Sequence, residues 1–192
     1  MKEKIKAGIM DAAKIRRVLY RMATEILERN RNLKNLVIVG IRTRGIYLAR
    51  RIAKLIREME GVDIPVGIMD ITQYRDDVSG MDGEGKALIK KSEIPFAVAK
   101  KDVLLVDDVL FTGRTIRAAM DSLFDIGRPR TIQLLVFVDR GHRELPIRAD
   151  YVGKSLPTSR RERVQVHLTE IDKTDEVLIT EPIELRARSK AT

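Results

Sequence analysis

Apolar residues in this chain alternate between two rhythms. Leu36 to Val39, Val103 to Val106, and most of Thr131 to Val138 are near-continuous apolar runs. Such runs read as strands buried on both faces, as in the centre of a parallel sheet. Between them the spacing becomes helical. Residues 11–30 set Ile15, Val18, Leu19, Met22, Ile26 and Leu27 on one stripe, with Lys14, Arg17, Arg21 and Glu28 mostly off it. Asp11 is placed to cap that helix. A second helix carries Ile46, Ala49, Ile52, Ala53, Leu55 and Ile56 and ends near Gly61. A third carries Ile116, Ala119, Met120 and Leu123 and stops at Gly127-Arg128-Pro129. Strand followed by helix, repeated, predicts an α/β fold with a mostly parallel central sheet flanked by helices.

Weaker signals complete the outline. Residues 64–71 read as a strand, with Pro65 arguing for a sheet edge or a strand start. Val164 to Leu168 alternates like a half-buried strand, and Val177 to Ile179 is a short one. Two stretches lack periodicity. Residues 75–92 hold Ser79, Gly80, Asp82, Gly83 and Gly85, so few apolar contacts restrain them. This segment is expected to be the most mobile internal one. Residues 139–160 are rich in charge and turns and read as the wall of a site beyond a strand end. No repeat or linker divides the chain, which predicts one domain over residues 1–180 and a tail over 181–192.

The chemistry concentrates at residues 103–121. An apolar strand runs into Asp107 and Asp108, then a loop with Thr112, Gly113, Arg114 and Thr115, then a helix. Ligands of open α/β sheets bind at such strand ends. A helix N-terminus offers unpaired N–H groups and a positive dipole end that suit phosphate. A plain phosphate loop would avoid carboxylates, so Asp107 and Asp108 need hydroxyl donors, and ribose supplies them. Phosphate and ribose together describe a ribose 5-phosphate. The Gly-x4-Gly-Lys pattern of P-loops is absent. Thr43, Arg44 and Gly45 form a second strand-to-helix turn, hence a second anion cradle.

The segment VLLVDDVLFTGRT resembles the phosphoribosyl-diphosphate (PRPP) motif of type I phosphoribosyltransferases. With DITQYRDD and DRGHRELPIRADYVGKSLPTS, the chain is similar, from about residue 11 to residue 179, to the bacterial pyrimidine-operon regulatory family. That resemblance implies a phosphoribosyltransferase-like fold whose small hood comes largely from residues 139–180. It implies transfer of phosphoribose from PRPP to uracil, giving UMP and diphosphate. Mg2+ would be held mainly through PRPP, diphosphate and water, with no protein ligand. Catalysis would fall to Asp107, Asp108, Arg44 and Arg75, Arg75 arriving as its loop closes. Substrate contacts would come from Thr43, Arg44, Gly45 and Arg75, from the loop Val109, Leu110, Phe111, Thr112, Gly113, Arg114 and Thr115, and from Val138 and Asp139 beside the base. An unusual peptide is implied at residues 42–45. Purine enzymes usually carry an acid where this chain has Phe111, which favours a pyrimidine able to react as its N1 anion.

Charge adds a second partner. Net charge is +9 with few aromatics, which suggests a polyanion but not a single-strand binder built on stacking. A heat-adapted charged surface explains the same composition. The resemblance implies binding of a pyrimidine leader RNA hairpin, tightened by UMP, through Arg17, Arg21, Arg143, Arg148 and Lys154. Tyr20 and Thr24 depart from the small or imidazole side chains of that family. His167 reads as a strand-face residue and His142 as structural or ligand-contacting. There is no cysteine, no apolar run long enough to span a membrane and no signal peptide, which fits a cytoplasmic protein. A homo-oligomer, dimer or dimer of dimers, is expected by analogy. An enzyme without RNA regulation and an RNA-binding nucleotide sensor with little catalysis remain the alternatives.

Overall fold

A computed structural model describes residues 3–71 and 92–183. In chain order the elements are β1 (Glu3–Met10), α1 (Ala12–Arg29), β2 (Leu36–Ile41), α2 (Arg44–Glu60), β3 (Val66–Met69), β4 (Asp102–Leu110), α3 (Arg114–Ile126), β5 (Thr131–Asp139), β6 (Tyr151–Ser155), β7 (Arg163–His167), α4 (Thr169–Asp172) and β8 (Glu176–Pro182).

The main sheet has the order β3-β2-β4-β5-β6 and is parallel throughout. Its central strands carry near-continuous apolar runs because both faces are covered. Ile38, Leu104, Val106, Leu135 and Phe137 pack on one side with Leu19, Met22 and Ile26 of α1 and Leu48, Ala49, Ile52 and Ile56 of α2. Val37, Val39, Val103, Leu105, Leu134 and Val136 pack on the other with Ile116, Ala119 and Leu123 of α3. Pro65 lies just before the edge strand β3, where its missing N–H leaves no ladder bond unmade.

Two findings differ from the sequence reading. Tyr151 to Ser155, inside the segment read as irregular wall, is strand β6 of the main sheet. Its Val138–Lys154 and Leu135–Tyr151 pairings bury Tyr151 and Gly153, which charged neighbours conceal in the sequence. The hood also draws on both chain ends. Its sheet has the order β1-β8-β7 and is antiparallel, so residues 3–10 supply one strand and β8 extends past Glu181 to Pro182. The hood sheet thus joins β1 to β7 and β8, while β6, within residues 139–180, serves the main sheet. Val166, Val177 and Ile179 join the hood to the core shared by α1 and α2.

Candidate active site

The C-terminal ends of β2, β4 and β5 meet at one edge of the main sheet, and the loops leaving them carry the site candidates. Gly40 and Gly45 allow α2 to start tight against the sheet. A Cβ on Gly45 would lie 2.4 Å from the Val106 carbonyl oxygen and 3.3 Å from the Asp107 Cα. A Cβ on Gly40 would lie 2.6 Å from the Ile46 Cα. The start of α2 is therefore in contact with the strand that carries the paired acids. Directly before it, the Arg42–Thr43 peptide is cis, within the expected span 42–45.

Neither helix at this edge has a side-chain cap. Thr43 precedes α2 and Gly113 precedes α3, and neither of these residues makes a side-chain capping bond, while the Thr112 hydroxyl accepts from the Arg114 N–H at a long 3.4 Å. Gly113 has φ 95°, a left-handed conformation open to glycine at little cost. Both starts leave N–H groups of the first turn available to an anion.

Asp107 is buried and Asp108 half-buried. Asp107 Oδ1 accepts from the Asp108 N–H at 2.9 Å, and Asp108 Oδ1 accepts from the Val109 N–H at 2.9 Å. Burial pushes the Asp108 carboxyl up, against the charge of Arg44 and the Val109 N–H bond. Arg44 does not stand free: Nη2 donates to Asp172 Oδ1 at 2.8 Å and Nε to Oδ2 at 3.2 Å. Arg51, farther along α2, makes paired bonds to Glu170 and Asp175. The hood is thus hooked onto α2 by two arginines. Asp172 was not legible as a site neighbour, because a single sequence carries no signal of that pairing.

The loop 109–115 rests on the segment after β5. Arg140 N–H donates to the Leu110 carbonyl at 3.1 Å, and the Glu144 and Leu145 N–H groups donate to Thr112 at 2.9 and 3.2 Å. Arg114 Nε pairs with Glu144 at 2.9 Å. The charged wall is therefore a buttress for the loop. Val138 is buried within β5, and Asp139 pairs with Arg143 while accepting from the Gly141 N–H.

Arg143, expected on an RNA face, is half-buried and donates to the carbonyls of Phe111 at 2.7 Å, Ile147 at 3.1 Å and Gly141 at 3.2 Å. Five donors in a fixed fork suit it to gathering carbonyls. Arg17, Arg21 and Arg148 are exposed, and Lys154 is half-buried. Arg21 reaches from α1 to the Val152 and Gly153 carbonyls of β6 at 3.0 and 2.7 Å. His167 lies on its strand face against Glu176 at 2.9 Å, and His142 Nε2 meets the Thr158 carbonyl. Arg75 and the stretch on to residue 91 lie outside the described residues, and with them the expectation of mobility over 75–92.

Among the described residues no three His, Asp or Glu side chains converge as a metal cage. Adjacent Asp107 and Asp108 carboxylates suit a hard cation shared with substrate oxygens. No helix among the described residues is long and apolar enough to cross a membrane.

Residues 8–171 match the phosphoribosyl transferase domain family. The bifunctional protein PyrR of Listeria monocytogenes is 58% identical over 172 residues, 89% of this chain and 94% of its own length. The bifunctional protein PyrR of Bacillus subtilis is 55% identical over 176 residues, 92% of this chain and 97% of its own.

The chain belongs to the PyrR group of the phosphoribosyltransferase family.

Solved structures add the fold. A hypoxanthine phosphoribosyltransferase of Trypanosoma cruzi superposes with TM-score 0.71 at 16% identity, covering 93% of this chain and 96% of that one. A hypoxanthine phosphoribosyltransferase of Staphylococcus aureus gives TM-score 0.68 at 19% identity, covering 93% and 94%. Likeness at that identity establishes a shared type I phosphoribosyltransferase fold.

Proposed function

We propose that this protein transfers phosphoribose from PRPP to uracil, giving UMP and diphosphate, and binds pyrimidine-operon leader RNA to attenuate transcription in response to UMP. One observation carries the catalytic half: two helix starts without side-chain caps, with paired carboxylates beside them at one sheet edge. Two anion cradles separated by hydroxyl acceptors match a ribose phosphorylated at both ends.

In this reading the N–H groups following Gly113, with the Thr112 and Thr115 hydroxyls, take the 5-phosphate. Asp107 and Asp108 accept the ribose hydroxyls and hold the anomeric carbon in line. The Arg44 and Gly45 N–H groups take the diphosphate, because the Arg44 guanidinium is already paired to Asp172. Arg75 adds charge as its loop closes. Mg2+, bound mainly through PRPP, diphosphate and water, supplies charge neutralisation to the leaving group. Val138, Asp139 and Phe111 border the base. Among these groups none is assigned as general base.

The RNA half rests on the surface shared by α1 and β6. From α1, Arg21 donates to the Val152 and Gly153 carbonyls of β6 and Arg29 to the Asp150 carbonyl just before it, which ties the two elements together, with Arg17 and Arg148 exposed and Lys154 half-buried. Phosphate contacts there release counterions, so affinity falls steeply with salt. Sequence choice falls on unpaired hairpin bases. Action in the cytoplasm and assembly as a dimer or dimer of dimers complete the proposal.

Uracil and PRPP turnover tests the first half, and titration of a pyrimidine leader hairpin at two salt concentrations, with and without UMP, tests the second. UMP formation with saturable, salt-sensitive, UMP-tightened RNA binding is expected. Turnover without RNA binding reduces the protein to an enzyme, and the reverse makes it a nucleotide sensor.

A further inference from the structure

Arg140 stands where β5 ends, next to Asp139, and its side chain is almost wholly buried, at 6% exposure. Its guanidinium lies over the Phe111 ring, 4.0 Å from the centroid. One N–H donates to the Ser159 carbonyl at 2.9 Å, while the buried Nε has no hydrogen-bond partner. Among the described residues no carboxylate pairs with it. Glu162 acts on it only at longer range and is itself engaged by Lys6 and the Ser159 N–H. Asp139 is neutralised by Arg143, and His142 touches the edge of Phe111 with its Nε2 on the Thr158 carbonyl. Burial lowers the Arg140 pKa, yet an arginine remains protonated in a protein. A cation buried without an anion is costly. Such a group persists where its charge is used.

We propose that Arg140 is a specificity-determining residue of the transfer site: its buried, unpaired guanidinium, stacked on Phe111, favours a nucleobase that reacts as an anion. The inference rests on the uracil-transfer reading above and deepens it. Uracil attacks through deprotonated N1. The N1–C1′ bond forms from that lone pair, the C1′–O bond to diphosphate breaks with its electrons, and the N1 proton leaves to solvent. A fixed positive charge in a low-dielectric site lowers the cost of the uracil anion. It replaces an acidic group that would manage a proton on a purine, and it accounts for an aromatic ring at position 111.

The test compares uracil with 5-fluorouracil, whose N1 is more acidic, across a pH series. In Arg140→Gln, kcat/KM for uracil should fall about tenfold or more. The loss for 5-fluorouracil should be several-fold smaller, and the uracil profile should climb toward higher pH, while KM for PRPP stays near wild type. Arg140→Lys keeps the charge and should keep the wild-type ratio between the two bases. Equal losses on both bases with an unmoved pH profile would assign Arg140 to packing alone. No loss at all would remove it from the reaction. Should Arg140→Gln not fold, a ratio shifted in Arg140→Lys toward 5-fluorouracil would overturn the charge argument by itself. Wild-type protein that forms no UMP from either base would instead defeat the transfer reading on which the inference rests.

Discussion

The first helix and the two that follow it begin in opposite ways. At α1 the Asp11 carboxylate accepts from the Lys14 N–H at 2.7 Å, so the helix closes its own N-terminus. At α2 and α3 the residue in the same place is Thr43 or Gly113, and that residue makes no side-chain capping bond. A cap contributes about 1 kcal/mol, so leaving it out twice has a cost. Both omissions fall at the sheet edge where Asp107 and Asp108 stand. In the proposed function the difference separates a helix that closes its own N-terminus from helices whose first-turn N–H groups receive the substrate's phosphates. Basic residues follow the same division. Arg21 of α1 clasps β6 and Arg29 the Asp150 carbonyl just before it, whereas Arg44 and Arg51 of α2 hold the hood in place over the site.

The largest effect should come from the carboxylates beside the open helix starts. Replacing Asp107 and Asp108 together by Asn should lower UMP formation by about a thousandfold, with the melting temperature close to wild type. Normal turnover would refute their placement on ribose. Gly45→Ala comes next. Its new Cβ would meet the Val106 carbonyl at 2.4 Å, so α2 must shift. Stability should drop by about 1–3 kcal/mol in denaturant titration, and KM for PRPP should rise.

Capping α2 tests the comparison itself. Thr43→Asp would put a charged acceptor where the threonine hydroxyl makes no capping bond, yet a carboxylate in the cradle repels diphosphate. KM for PRPP should rise about tenfold while KM for uracil is little changed. The mirror experiment is Asp11→Ala, which should cost about 1 kcal/mol of stability and leave transfer unchanged. If the two variants affected PRPP binding alike, open and closed helix starts would have no functional meaning here.

A smaller effect concerns the hooks between hood and α2. Desolvation pushes Asp172 and Asp175 up, but hydrogen bonds from Arg44 and Arg51 outweigh it and hold both below the ordinary 3.8. Arg51 likewise holds Glu170 below 4.5. Groups with lowered folded pKa values stabilise fully above their ordinary values and lose that contribution as pH falls through the folded ones. Below about pH 4, amide exchange should rise in β7 and β8 before it rises in β4 and β5. Simultaneous loss of protection would mean that the hooks do not hold the hood separately.

Much of this was legible one residue after another. The unbroken runs in β2, β4 and β5 require burial on both faces, so a parallel sheet with helices on each side follows from pattern alone. Asp11, Gly61 and Gly127 mark helix ends through their own local chemistry. The paired acids and Thr-Gly-Arg-Thr of the loop after β4 are contiguous, and contiguity lets sequence place a cradle. The strand β6 was hidden because Tyr151 and Gly153 are buried by partners in β5 and α1, not by an apolar run of their own.

Sequence by itself therefore determined the layered α/β framework, the helix boundaries, the two helix starts proposed as anion cradles and the acids beside them. Only the tertiary structure decided which charges face solvent and which face inward. Arg143 gathers loop carbonyls, Arg140 lies unpaired on Phe111, Arg44 meets Asp172, and residues 3–10 complete the hood. The physical reason is range. Strand, helix and cap preferences are set by neighbours a few residues away, whereas the partner of a long charged side chain depends on segments brought together by folding. An arginine looks the same in a sequence whether its fork meets water, a carbonyl or a ring.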